Sequence, residues 1–502
     1  MAWGIRATFL PAMLAAASFV IHADVEPQSQ SSAIQLQLGD AFLNDGRYSD
    51  AIDAYQRALV DPVEARPARS GIVQASLKLA RFDAARAESD TLLGAFPRDP
   101  DALALNGDAM WASGLFLEAD ARYQQALAIA PNLARAHHGM ARSLAAQSRL
   151  SAAMEEAQTA IRLAPRDGEI HHTQGMIYER LHKYEEAAGA FSNYVNLLPH
   201  KDRSEKADWS RSEIKFLRSF GQRVPLEMDP GDEGQTYTVE FSIVNEKVMV
   251  RAKVNDSSFQ EFVVDTGAEN TVITGATAKR LGVTPVAYTL SAGVGDAGVR
   301  GLQLARINTL QLGNLRLHNV PCLVKDPPLR NLPTRETESL SPLALGFSMI
   351  IDYQTHRITF GKHLPDEVSD FQLPMRLYRL ATVRGTVDGT HAANFVVDTG
   401  GQLISISQAT ATRLGRPEPT RKIALKVYGS SGWDRDAFLM QGVNLAFDAI
   451  QFQNYNVVVL NLNAPSALLG FQVGGIVGHN FLKKYRVWLD LETSMLRLKS
   501  IS

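Results

Sequence analysis

A period of 34 residues running from about residue 33 to residue 199 constrains this chain more than any other feature. Ala51, Ala85, Ala119, Ala153 and Ala187 stand in register. Upstream in each unit come Gly39, Val73, Gly107, Ala141 and Gly175, then Phe42, Ser76, Met110, Leu144 and Tyr178. Pro97, Pro131, Pro165 and Pro199 close the last four units, and Pro62 closes the first one residue early. Small residues at fixed offsets allow close helix packing, and Pro lacks the N–H that would continue a helix.

This pattern resembles the tetratricopeptide repeat, a pair of antiparallel helices stacked into an all-α superhelix. The resemblance implies a concave face that binds a peptide or a partner protein; an architectural spacer is the plainer alternative. The stretch ADWSRSEIKFLRSFG carries Trp209, Phe216, Leu217 and Phe220 on one face and stops at Gly221, as a capping helix would. Residues 33–221 therefore form one domain. PLEMDPGDEGQ lacks periodicity, and 222–235 reads as a linker.

Composition narrows the partners. With 502 residues, a formal net charge of -2 and no run of Lys or Arg, the chain offers no electrostatic footprint for nucleic acid or an anionic membrane. The N-terminal stretch has Arg6, an apolar run from Phe9 to Ile21 and Ala23 before polar sequence, which predicts a signal peptide over 1–23 and a secreted or periplasmic protein with no membrane span after cleavage. Cys322 is the only cysteine, which excludes an intramolecular disulfide and a Cys-based zinc cluster. It reads as a small core residue. His137, His138, His171 and His172 are expected to face solvent, since no third metal ligand is spaced with them.

Beyond Gln235 the texture changes to short β-rich runs separated by Gly, Asn and Asp turns. The hexapeptide FVVDTG occurs twice there, as EFVVDTGAENTVIT and NFVVDTGGQLISIS. Each copy follows a hairpin and precedes a short helix (TGATAKRLGV, SQATATRLGR) and a Gly-rich hairpin (SAGVGDAGVRG, VYGSSGWDRD). Each closes on an apolar-apolar-Gly stretch, LALG in the first copy and GIVG in the second. This predicts two related domains, 236–365 and 366–502.

Each copy resembles a bacterial retropepsin-like aspartyl protease domain, and the pair implies an all-β bilobal fold with one lobe per copy. The resemblance implies a dyad of Asp265 and Asp398, supported by Thr266, Gly267, Thr399 and Gly400, with flaps around Gly293, Gly295, Tyr428, Gly429 and Trp433. It implies a peptide substrate and no metal or other cofactor. A single D-T-G would be an ordinary turn; its duplication explains why one chain needs it twice, because such a site takes one carboxyl from each copy. Two positions depart from the pattern. Gly401 stands where the family has Ala or Ser and is expected to loosen the second loop. Six residues separate Gly346 from Asp352, against twelve from Gly478 to Asp490, so the first copy is expected to be shortened and to lack a short helix. The expected function is an aspartic endopeptidase whose repeats recruit substrate or partner, working best at roughly pH 5 to 6; the alternative is a non-catalytic peptide-binding scaffold.

Overall fold

A computed structural model describes residues 27–232, 234–295, 298–325, 337–416 and 423–501. The expected signal peptide lies outside the described residues. Five helix pairs come first: Pro27–Asn44 with Tyr48–Ala58, Ala65–Lys78 with Phe82–Ala95, Pro100–Ala112 with Phe116–Ile129, Ala134–Ala146 with Leu150–Leu163, and Gly168–Arg180 with Tyr184–Leu197. Glu205–Arg218 follows as the capping helix. The five in-register alanines are each 0% exposed, so the 34-residue period is the period of the core.

Aromatic rings explain the glycines. A Cβ on Gly39 or Gly71 would come within 2.5 or 2.2 Å of the Tyr55 ring, and one on Gly107 or Gly139 within 2.6 or 2.3 Å of Tyr123. Each tyrosine thus sits between the first helices of two successive repeats, where only a bare backbone leaves room for it. Asp99 caps the third pair, its side chain accepting from the N–H groups of Asp101 and Ala102, with Pro100 at the first helical position.

The remainder is β-rich. One antiparallel array joins the two copies in the order Phe371–Tyr378, Met495–Ser500, Tyr485–Asp490, Ser348–Asp352, Arg357–Gly361, Thr236–Glu240, three strands from each copy. At its centre Met349, Ile350 and Ile351 pair with Leu489, Trp488 and Val487. Trp488 is fully buried there. The region predicted as a linker is tied down: Leu226 is buried, and Glu227–Met228 pair with His318 and Leu317.

Within each copy a short strand threads between the strand that delivers the D-T-G and the strand that follows it. In the second copy this is Gly475–Val477, parallel to His391–Val397 and antiparallel to Ser405–Ser407. In the first it is Glu338–Leu340, parallel to Phe259–Val264 and antiparallel to Thr271–Thr274. The expected equivalence of Gly346 and Gly478 is therefore corrected. Asp265 N–H donates to Leu340 O at 2.9 Å as Asp398 N–H donates to Val477 O at 3.0 Å, so Ser341 occupies the place of Gly478. Counted from there, the first copy runs eleven residues to Asp352 against twelve in the second, one residue fewer rather than six. Residues 342–346 form turns where the second copy has the helix His479–Leu482.

The repeats do not stand apart from the β-rich body. Met110, Trp111 and Phe116 share a buried apolar cluster with Val396, Phe471 and Val473. Around it Gln472 N–H donates to Ala112 O at 2.7 Å, and Arg376 and Arg384 pair with Asp120 and Glu118 at 2.8 and 2.6 Å. Phe216 and Phe220 of the capping helix and its end pack on Val272, Ala287, Leu302, Leu304 and Leu323 of the first copy.

Candidate active site

Both predicted aspartates lie at the ends of apolar strands whose last three residues, Phe262–Val264 and Phe395–Val397, are buried. Apolar burial fixes each strand, and the turn that follows can then present a polar side chain at the body's surface. The two turns are locked to each other by threonine. Thr266 Oγ1 donates to Val397 O and Thr399 Oγ1 to Val264 O, each at 2.6 Å. In return Thr266 N–H donates to Thr399 Oγ1 and Thr399 N–H to Thr266 Oγ1, each at 3.1 Å. Thr266 is 1% and Thr399 0% exposed, so these four bonds form away from competing water.

The lock brings the carboxyls together. A Cβ on Gly267 would lie 2.5 Å from Asp398 Cγ, and one on Gly400 2.7 Å from Asp265 Cγ. Each glycine therefore makes room for the carboxyl of the other copy. The two carboxyls are thus close enough to influence each other's titration. Burial first, and then the neighbouring Asp398, push the Asp265 carboxyl up to about 7, against a pull from Lys247 and Lys325. Asp398 is also raised by burial, but Gly400 and Gly401 N–H groups donate to its Oδ1 at 2.8 and 2.9 Å and favour its charged form. The pair is asymmetric in its hydrogen bonding, since these two N–H groups reach Asp398 alone.

Gly401 does not loosen the second loop. Its N–H holds Asp398, its carbonyl accepts from His479 N–H at 2.7 Å, and a Cβ there would lie 2.6 Å from Asp398 Oδ2. The first loop is held differently, by Ser341 Oγ donating to Ala268 O at 2.6 Å. Glu269 in the same loop pairs with Arg379 at 2.5 Å, a contact that no sequence signal announces.

The family described as Aspartyl protease matches residues 250–349 and 383–481, and the family described as Tetratricopeptide repeat matches 14–69 and 138–201. The chain carries two aspartyl protease domains behind tetratricopeptide repeats. No curated protein matches this sequence. Among solved structures, a tetratricopeptide-repeat protein from Thermus thermophilus is 20% identical, covering 36% of this chain and 98% of its own, with a TM-score of 0.32. An aspartic proteinase from Irpex lacteus is 13% identical over 53% of this chain and 98% of its own, with a TM-score of 0.35.

Gly293 and Gly295 sit at the tip of the hairpin Pro285–Ala292 with Val299–Leu312 in the first aspartyl protease domain. Tyr428, Gly429 and Trp433 belong to the hairpin Val427–Gly429 with Gly432–Asp434 in the second, where the two rings meet edge to face at 5.5 Å. The tips touch: Ser431 N–H donates to Val294 O at 2.9 Å, and Gly293 N–H to Ser431 Oγ at 3.0 Å. Val294 and Ser431 are not among the predicted flap residues, although Val294 lies between the two flap glycines of its hairpin.

Below the flaps a cavity of about 1530 Å³ extends from Asp265 and Asp398 to the inner helices of the repeats. The repeats' concave face is thus turned onto the chain's own protease domains. The histidines of the repeats do not simply face solvent, contrary to expectation. His138 bonds Thr173 Oγ1 at 2.8 Å and is driven down to about 3 by burial, His172 packs on Phe191 and Tyr194, His171 is buried, and His137 pairs with Glu156 at 2.6 Å. Trp209 of the capping helix lines the cavity, and Cys322 lies in the core with its thiol pushed up to about 12 by burial. Among the described residues no cluster of His, Cys, Asp and Glu could hold a metal ion, and no helix is long and apolar enough to cross a membrane.

Proposed function

We propose that this protein is an aspartic endopeptidase with a single intramolecular site. The observation that carries the reading is the pair of carboxyls, one from each domain, brought together under the reciprocal threonine lock, each beside the glycine of the other copy. Two carboxyls this close cannot both ionise, so the pair holds one proton between them, which supplies an acid and a base at the same place. Asp398, whose charge two N–H groups stabilise, takes a proton from a water placed between the carboxyls. The hydroxide equivalent attacks the scissile carbonyl carbon while Asp265 donates its proton to the carbonyl oxygen. On collapse of the tetrahedral species, the proton now on Asp398 passes to the departing amine, the C–N bond breaks, and Asp265 recovers its proton from the gem-diol.

The flaps are proposed to close over a bound peptide, and the apolar run before Ala23 supports an exported, secreted or periplasmic protein. The test is hydrolysis of a peptide library with and without pepstatin. Asp265→Asn and Asp398→Asn should each remove cleavage in a folded protein. Recovery of substantial activity on mixing the two single variants would refute an intramolecular site.

A further inference from the structure

The repeats face the dyad across a deep cleft, and their place there bears on what can be cut. We propose that the concave face of the repeats is one wall of the substrate chamber, so that the dyad is reached by an unfolded polypeptide segment while folded protein surfaces are excluded. The proposal rests on the protease reading above and specifies its substrate class.

Size decides first. A cavity of about 1530 Å³ runs from Asp265 and Asp398 to His138, Glu169 and His172 on the inner helices and Trp209 on the capping helix. That exceeds the roughly 300–1,000 Å³ of a small-molecule site. A folded domain of about 100 residues has a radius of gyration near 13 Å, which corresponds to a body on the order of 20,000 Å³. A stretch of extended chain fits the space, and a domain does not.

The wall is also fixed. Arg376 and Asp120 form an ion pair at 2.8 Å whose side chains are 13% and 15% exposed, beside the apolar cluster that joins Trp111 and Phe116 to Phe471. At the other end the capping helix packs Phe216 on Leu302 and Leu304, strand residues of the first domain's own flap hairpin. With the flap tips bonded to each other above the dyad, protein stands on both sides of the cleft. A substrate loop held rigidly on a folded surface would have to bring that surface through the wall.

The wall's chemistry suits an extended chain. Every residue of such a segment presents an N–H and a C=O that need partners once out of water. The repeat side supplies aromatic surface at Trp209 of the capping helix and Tyr194 of the fifth pair's second helix, interleaved with polar groups of both signs, including Glu169 and Arg142. No one charge dominates, so the wall accepts backbone without demanding one side-chain charge.

The experiment uses the full chain and one cleavable sequence in three settings: a short quenched peptide, the same segment in a surface loop of a rigid carrier with flanks of roughly 4 residues, and the same with flexible flanks of roughly 30, which reach on the order of 30 Å. The peptide and long-flank carrier should be cut with kcat/KM within about 3-fold of each other, and the short-flank carrier at least about 100-fold more slowly until the carrier is unfolded. Arg376→Glu with Arg384→Glu, which sets carboxylates against Asp120 and Glu118, should raise cleavage of the short-flank carrier and leave the peptide unchanged. Adding Asp120→Arg and Glu118→Arg should restore the block. Equal cleavage of short-flank carrier and peptide by the wild type would overturn the chamber, as would peptide cleavage seen only in the opened variant. No cleavage of any substrate by either protein would instead overturn the protease reading. If the charge variants fail to fold, the flank series on the wild type decides alone.

Discussion

Replacing Asp265 with Asn should make the protein less pH-sensitive in stability while removing hydrolysis. The wild-type carboxyl rises from an ordinary 3.8 to about 7 in the folded state, because protein surrounds it and Asp398 adds a like charge. The folded chain therefore holds this proton more tightly than the unfolded chain does. Stability from this source is complete below about pH 4 and is lost as the pH climbs through 7. At about 1.4 kcal/mol per pH unit the full interval is worth about 4 kcal/mol, a ceiling because Asp398 shares the titration and water in the chamber screens part of it. Asp265→Asn has no proton to lose there. Its stability relative to wild type should rise by about 2 to 4 kcal/mol between pH 4 and pH 8. Urea unfolding followed by tryptophan fluorescence, for which Trp488 reports on the sheet joining the two domains, measures this. Parallel pH dependences in the wild type and Asp265→Asn would refute the assignment of the raised proton to this pair.

Ala268→Ser offers a hydroxyl near the dyad and should move the activity profile toward acid, whereas Gly401→Ser places a Cβ 2.6 Å from Asp398 Oδ2 and should lower kcat by about 100-fold with no acid shift; pH–rate profiles separate the two outcomes. Thr399→Val leaves Val264 O and Thr266 N–H without partners and should cost about 2 to 4 kcal/mol along with activity, and Thr399→Ser should recover most of both in thermal melts and peptide assays. Gly139→Leu drives side-chain atoms into the Tyr123 ring and should destabilise the repeats by about 3 kcal/mol, read as loss of helical circular dichroism at lower urea.

Periodicity makes the repeats legible because the five alanines that carry it are also the residues with no room to vary. The dyad is legible for a related reason: an apolar strand must end in a turn, and the same turn twice implies a pair. The threading strand is not. Matching GIVG to LALG follows the glycine, but the glycine in the second copy answers a local crowding, since a Cβ on Gly478 would lie 2.7 Å from Gln402 C and Leu403 N. The first copy uses Ser341 at that place, and its hydroxyl holds the Ala268 carbonyl. A position defined by strand pairing can change residue type when its neighbours differ, and a single sequence does not reveal which neighbours it has. Gly401 misleads in the same way, as an absence of a side chain when its backbone N–H is the working group.

The placement of the repeats over the cleft leaves only a faint mark in the sequence. Trp111, on the concave side of the third pair, is a large apolar residue where a free-standing array would expose it, yet it is 2% exposed against Phe116, Tyr378 and Arg142. The polar residues of that face point the same way once their partners are known. Arg135 and Arg142 both pair with Asp108, at 2.8 and 2.5 Å, and Tyr123 donates to the same carboxylate at 2.9 Å. Lys78 is engaged by Glu169. A face built to clamp the carboxylate end of a partner peptide would keep such cations uncommitted, because a charge already neutralised gains little from a second anion. Here much of the face's charge is directed to holding its own helices in register, which is what a rigid wall beside a catalytic cleft requires.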